Sequence, residues 1–188
     1  AQRGLLMNKK NIYRLKIGFF MLFLVVVDQV SKYLANTHLK GKNELVIINK
    51  VLSLYYLDGG NRGAAWGMFS GKIVMFIIFT IIAIFVISIF MKNIYGLIVE
   101  TDRNLFRGLN VCMALLMSGA IGNLIDRVVH NYVIDFIYIK FIDFPIFNVA
   151  DCYVTVSCAL IIILCLFKVR EEEFNQIVSL KSLKRSKR

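Results

Sequence analysis

The sequence predicts an all-α polytopic membrane protein, four transmembrane helices with a small extracytoplasmic β-rich region over the outer face. Three observations predict it. The 188 residues are 58% hydrophobic, with a mean hydropathy of +0.67, too apolar for an ordinary soluble domain of this length. Four apolar runs are long enough to cross a bilayer, which takes about 20 residues. The basic residues behind the net charge of +11 cluster beside those runs rather than along one surface.

The first run, residues 15–34, is apolar after Lys16 up to Val27 and then meets Asp28 and Lys32. Its length favours a retained helix over a cleaved signal peptide, and no small-residue cleavage motif precedes the polar segment. Between this run and the next, Glu44-Leu45-Val46-Ile47-Ile48 and Val51-Leu52-Ser53-Leu54-Tyr55-Tyr56 are rich in β-branched and aromatic residues, with Asn49-Lys50 as a turn. They predict a hairpin on the outer membrane surface. Asp58-Gly59-Gly60-Asn61-Arg62-Gly63 then breaks regular structure. The second run, residues 73–90, carries no charge. The third, 108–125, is also uncharged but holds Asn110, Asn123 and a small-xxx-small pair, Ser118 and Gly122, that favours close helix packing. Residues 133–141 read as extended, and Pro145 interrupts the chain shortly after them. The fourth run, 149–167, has Asp151 near its start.

Charge sets the orientation. Arg3, Lys9, Lys10, Arg14 and Lys16 stand at one end, Lys168, Arg170, Lys181, Lys184, Arg185, Lys187 and Arg188 at the other, and Lys92, Arg103 and Arg107 link the second and third runs. Four crossings place these on one side, which the positive-inside rule makes cytoplasmic. The plan is a cytoplasmic N-terminus over 1–11, a membrane domain over 12–170 with outer loops at about 36–71 and 126–148, and a charged, partly disordered cytoplasmic tail over 171–188. Residues 1–6 precede the first methionine, Met7, and are set aside. The tail is expected to touch anionic lipid headgroups. Nucleic acid is not expected, since no aromatic-and-basic recognition surface accompanies the charge. Cys112, Cys152, Cys158 and Cys165 form no CxxC pair and read as packing residues. His38 and His130 stand without a ligand set, so neither a metal nor a cofactor is expected.

Chemistry points to the acids. A carboxylate beside a membrane segment is costly and by default marks a functional site. Asp135 and Asp151, sixteen positions apart, could meet around one water as an aspartic-protease pair. Two carboxyls sharing a site hold different protonation states, so one takes a proton from water while the other polarises a peptide carbonyl. Asp126 and Asp143 compete for the same role on the residues alone, Asp126 also as an ion-pair partner of Arg127 and Asp143 as a solvated loop acid. Asp28 and Lys32 are four apart, so a salt bridge at the outer helix end, with Lys32 snorkelling, accounts for them. Asn61, Asn123 and Asn148 can hydrogen-bond an extended peptide, and Arg127 can hold a carbonyl or phosphate oxygen. Trp66 and the outer tyrosines read as interfacial anchors. A proton-coupled carrier or lipid-binding membrane protein is the alternative. The lack of internal repeats and the clustering of polar residues at one membrane face disfavour it.

Five motifs in order then carry a resemblance. Asp28-Gln29-Val30-Ser31-Lys32, Asn61-Arg62-Gly63-Ala64-Ala65-Trp66-Gly67, Gly122-Asn123-Leu124-Ile125-Asp126-Arg127, Val133-Ile134-Asp135-Phe136 and Phe147-Asn148-Val149-Ala150-Asp151 together resemble the bacterial lipoprotein signal peptidases (type II signal peptidases). The resemblance implies a metal-free aspartic endopeptidase of the bacterial inner membrane. Such an enzyme removes the signal peptide of prolipoproteins just before the diacylglyceryl-modified cysteine, and globomycin-like cyclic peptides inhibit it. It selects Asp135 and Asp151 as the catalytic pair, with Asn61, Gly63, Asn123, Arg127 and Asn148 lining the substrate pocket. Asp28, Lys32 and Asp126 fall to supporting roles. Leu57-Asp58-Gly59-Gly60 departs from the family's more polar-aromatic run before the asparagine motif.

Overall fold

Four helices cross from one end of the molecule to the other, and a small sheet closes one end. The computed structural model describes residues 2–63 and 72–179, with side chains from residue 11. The helices are α1 (Gln2–His38), α2 (Ile73–Thr101), α3 (Asn104–His130), α4 (Val149–Phe167) and a short α5 (Glu171–Val178). The first four are long and apolar enough to span a membrane; the shortest, α4, has 19 residues, or about 28 Å of rise against a hydrocarbon core of about 30 Å.

α3 is the central helix. Over half of its apolar window is buried (56%), against 11% for each of the other three. It packs against α1, α2 and α4, while side chains such as Phe19, Phe79 and Leu166 point outward to where lipid would lie. Small residues permit this packing. A Cβ on Gly119 would sit 2.6 Å from the Ala150 carbonyl oxygen of α4, and one on Gly122 would sit 2.4 Å from an Asp28 carboxylate oxygen of α1. Close backbone approach of this kind drives helix association where no hydrophobic effect operates.

The sheet at that end is three-stranded and antiparallel, in the order β1 (Leu45–Ile48), β2 (Leu52–Leu54), β3 (Ile137–Ile139). Leu45 faces Leu54, and Leu52 faces Ile139. Lys50, in the left-handed region, makes the hairpin turn at the expected Asn49-Lys50. The strand pairing continues irregularly toward the helices. Tyr55 N–H donates to Phe136 O at 2.9 Å, Leu57 N–H to Asp135 O at 3.1 Å, and Asn61 and Val133 exchange two bonds of 2.9 Å. Gly59 and Gly60, both at positive φ, turn the chain between Leu57 and Asn61. A Cβ on Gly60 would lie 1.9 Å from the Tyr132 ring, so the unusual Gly-Gly preceding the asparagine motif is what lets this turn fit.

Two boundaries differ from those read in the sequence. α3 continues to His130 instead of stopping near residue 125, because Asp126 and Arg127 find partners inside the bundle. It ends where Asn131 takes the left-handed conformation and donates its N–H to Arg127 O. The start of the tail is helical. In α5, Ile177 joins the core between α2 and α3, Glu173 pairs with Arg103, and the Asn93 amide donates to Ile177 O and Ser179 O at 2.7 and 2.8 Å. The charge run hid this amphipathic turn. Residues 64–71, with Trp66, and 180–188, with the basic end of the tail, lie outside the described residues.

Candidate active site

The backbone pairing of the loops at the sheet end delivers two asparagines to Asp135. Because Asn61 pairs with Val133, its side chain reaches Asp135, and Nδ2 donates to Oδ2 at 2.9 Å. Its Oδ1 accepts from Gly63 N–H at 3.0 Å, which fixes the orientation of the amide. On the other side Phe147 pairs with Ile137, and the next residue, Asn148, sends Nδ2 to Asp135 Oδ1 at 2.7 Å.

Asn148 also begins α4. Its Oδ1 accepts from Asp151 N–H at 3.0 Å, while its own N–H donates to Asp151 Oδ2 at 3.1 Å, the reciprocal bonds of a capping box. One residue therefore touches both candidate catalytic acids. Asn123 of α3 completes the bridge, giving Nδ2 to Asp151 Oδ1 at 2.8 Å and accepting Asn148 Nδ2 on Oδ1 at 3.2 Å. Asp151 lies in the first turn of α4, where unpaired N–H groups favour negative charge.

Asp135 is 2% exposed, and its carboxyl is pushed up from the ordinary 3.8 to about 7. Burial is the main cause and the negative charge of Asp151 the second; the amides of Asn61 and Asn148 and the Lys32 cation pull the other way. The surroundings of Asp135 therefore favour keeping its proton up to about neutral pH.

Behind the amides sits a second group of acids. Lys32 Nζ lies 2.9 Å from Asp28 Oδ2 and 3.1 Å from Asp126 Oδ2, and donates to Asn123 Oδ1 at 2.9 Å. Lys32 is 1% exposed and does not snorkel, contrary to the expectation from its helix-end position. Its two carboxylates and Asn123 satisfy the ammonium inside the bundle, so it has no need of the headgroup region. Asp126 likewise pairs with Lys32 and not with its neighbour Arg127. Arg127 Nη1 reaches Asn123 O only at 3.4 Å, and its guanidinium lies over the Phe76 ring of α2, 5.4 Å from the centroid.

This arrangement matches known proteins over most of its length. Residues 20–167 match the family model described as Signal peptidase (SPase) II. Lipoprotein signal peptidases of Staphylococcus aureus strains MRSA252 and Newman are each 41% identical over 143 residues, 75% of this chain and 82% of theirs. The chain belongs to the signal peptidase II family. Two solved structures, both described as a bacterial membrane enzyme determined by the in meso method, superpose with TM-scores of 0.65. The one at 2.3 Å resolution is 33% identical and covers 83% of this chain and 92% of its own. The one at 1.9 Å is 34% identical and covers 82% and 94%. The chain is therefore a multi-pass bacterial membrane protease for prolipoprotein signal peptides.

Within this signal peptidase the structure brings Asp135, Asp151, Asn61, Asn123, Asn148 and the Asp28–Lys32–Asp126 group into one connected network. Gly63 joins through Asn61. Asp143 is left apart, exposed and bonded to Tyr138 Oη at 2.6 Å. His38 bonds its own helix at Leu34 O, and His130 packs on Tyr132. Sequence reasoning missed Gln29, whose Nε2 lies 3.1 Å from both Asp28 Oδ2 and Asp126 Oδ1, and Phe76, which nothing in the sequence marks. The double role of Asn148 had a signal, a cap residue with an acid three positions on, ahead of an apolar run.

Proposed function

We propose that this signal peptidase is an aspartic endopeptidase in which Asp135 and Asp151 activate one water molecule. The observation that carries the reading is Asn148, which bonds both carboxylates at once, where Asp28 and Asp126 are instead ion-paired to Lys32. With the shared proton on Asp135, Asp151 takes a proton from water as the water oxygen attacks the scissile carbonyl carbon. Asp135 gives its proton to the carbonyl oxygen. The resulting gem-diol collapses when Asp151 returns its proton to the leaving nitrogen and Asp135 recovers one from a hydroxyl, so the pair ends as it began. Asn61, Asn123, Asn148 and Arg127 are the groups assigned to hold the extended substrate backbone, with Gly63 among them through its bond to Asn61.

The substrate in this reading is a prolipoprotein whose cysteine carries a diacylglyceryl group, cut just before that cysteine. The acyl chains stay in the bilayer and the signal helix packs beside the four helices. The site stands at the extracytoplasmic face of the inner membrane with both termini cytoplasmic, as the distribution of basic residues favours. Globomycin-like cyclic peptides, mimicking an extended backbone, are the expected inhibitors. Mass spectrometry of a diacylglyceryl-modified prolipoprotein after incubation with the enzyme tests the cleavage position. A new N-terminus at the lipidated cysteine is the expected product; a cut elsewhere, or equal cutting of the unmodified precursor, would refute the assignment.

A further inference from the structure

We propose that Lys32 is a positioning residue that yokes, through Asp28 and Asp126, the backbone immediately ahead of each dyad aspartate. This role rests on Asp135 and Asp151 being the reacting pair. Its basis is a symmetry in the hydrogen bonds. Asp28 Oδ1 accepts from Ala150 N–H at 2.9 Å, one residue before Asp151. Asp126 Oδ2 accepts from Ile134 N–H at 3.0 Å, one residue before Asp135. Both carboxylates are ion-paired to the same ammonium, and Gln29 Nε2 lies 3.1 Å from each.

The two N–H groups need acceptors for different reasons. Ala150 lies in the first turn of α4, where backbone donors have no partner within the helix. Ile134 lies between Val133 and Asp135, whose backbone groups bond Asn61 and Leu57, while its own N–H turns to Asp126. The third Lys32 bond, to Asn123 Oδ1, holds that amide with its Nδ2 facing Asp151. One cation thereby fixes the approach of both acids and the orientation of the amide between them.

Stability alone does not account for such a cluster. Lys32, Asp28 and Asp126 are all at most 1% exposed, and burying three charges costs much of what their attraction returns. A well-packed apolar trio would serve the bundle as well. It would not offer aimed acceptors to backbone from two separate segments.

Lys32→Met keeps most of the side-chain length and removes the charge. The measurement is kcat, KM and the pH–rate profile of wild type, Lys32→Met and Asp126→Asn in detergent, with thermal midpoints taken alongside. The charged groups around Lys32 are Asp28 on α1, Asp126 and Arg127 on α3, Asp135 in the outer loop and Asp151 on α4. Removing the Lys32 cation leaves Asp135 less favoured as an anion, so the alkaline limb should move to higher pH. A loss in kcat of about 100-fold for Lys32→Met, with KM little changed, is expected from displaced reacting groups. Asp126→Asn should show a smaller loss in kcat, again with KM held.

Wild-type kcat and an unmoved alkaline limb in folded Lys32→Met would overturn the proposal. So would a loss matching the unfolded fraction, with the remaining active enzyme keeping the wild-type profile. If Lys32→Met does not fold, Asp126→Asn decides, and wild-type kcat there is the overturning result. Asp135→Asn and Asp151→Asn run beside these separate the two claims. If either dyad variant cuts normally, the dyad assignment fails whatever Lys32 does; if both are inactive and Lys32→Met is not impaired, only the yoke fails.

Discussion

The enzyme holds two pairs of aspartates at the same end of one bundle, and they are bonded in opposite ways. Asp28 and Asp126 share a lysine. Asp135 and Asp151 are bonded by asparagine amides and a backbone N–H. An amide donor stabilises an anion but brings no full charge, so repulsion between neighbouring carboxylates goes uncancelled. The lysine-bonded acids are thereby held as acceptors for backbone N–H groups. The amide-bonded acids are left able to trade a proton. In the proposed mechanism, identical side chains are sorted into scaffold and chemistry by what donates to them.

The sharpest way to break this contrast is to remove the amide that joins the dyad. Asn148→Ala deletes the donor to Asp135 and the cap of α4. Activity should fall by roughly 100-fold through misplaced groups, while the lost cap costs only about 1 kcal/mol of stability. Initial rates beside a thermal melt check it, and a loss of activity no larger than the stability cost explains would count against the bridge.

The pH behaviour of Asp135 comes next. Its carboxyl is raised from 3.8 to about 7 in the folded protein, so folding favours the protonated form. The wild type therefore has its full contribution from this group below about pH 3.8 and loses it progressively as the pH rises to about 7. Asp135→Asn removes that dependence, so its unfolding free energy relative to wild type should improve between pH 4 and pH 8, by on the order of a few kcal/mol, which thermal melts across that range check. The single-turnover rate of wild type should fall on the alkaline side around pH 7, as Asp135 gives up its proton. A rate that stays level from pH 6 to pH 9 would contradict the shared proton.

Packing around the lysine group sharpens the comparison from the other side. Gly122→Ala places a methyl 2.4 Å from Asp28 Oδ2, and the strain should cost about 1–3 kcal/mol. Chemical denaturation in detergent measures it; an unchanged midpoint would mean that α1 and α3 are not held as close as described. The smallest effect is expected far from the site. Glu173→Gln removes the partner of Arg103 at the α5 end, a partly exposed pair worth at most about 1 kcal/mol. Turnover should be unchanged, and a large loss would tie the tail helix to catalysis.

Much of this is legible in the sequence. The four apolar runs gave the helices, because no other element satisfies its backbone in lipid. Strand-like composition and the Asn49-Lys50 turn predict the hairpin, and the ordered motifs contain every member of the network, though Gln29 stands in its motif with no role assigned. What could not be read was the depth of charge. Lys32 near a helix end looks like a snorkelling residue until Asp126, 94 positions away, is known to face it. The end of α3 was misplaced for the same reason, since Asp126 and Arg127 read as polar loop when considered without their partners. Glu171-Glu172-Glu173 read as a solvated run because the apolar face of α5 amounts to little more than Phe174, Ile177 and Val178. Phe76 sits under Arg127 by tertiary contact alone.

Single-turnover cleavage of a diacylglyceryl-modified prolipoprotein by wild type, Asp135→Asn and Asp151→Asn, each shown by thermal melt to be folded, tests the central claim most directly. Both substitutions are expected to slow the cut by at least about 100-fold, the range expected when a positioned acid or base is lost. Cleavage at the wild-type rate by either folded variant would contradict a reaction run by this pair.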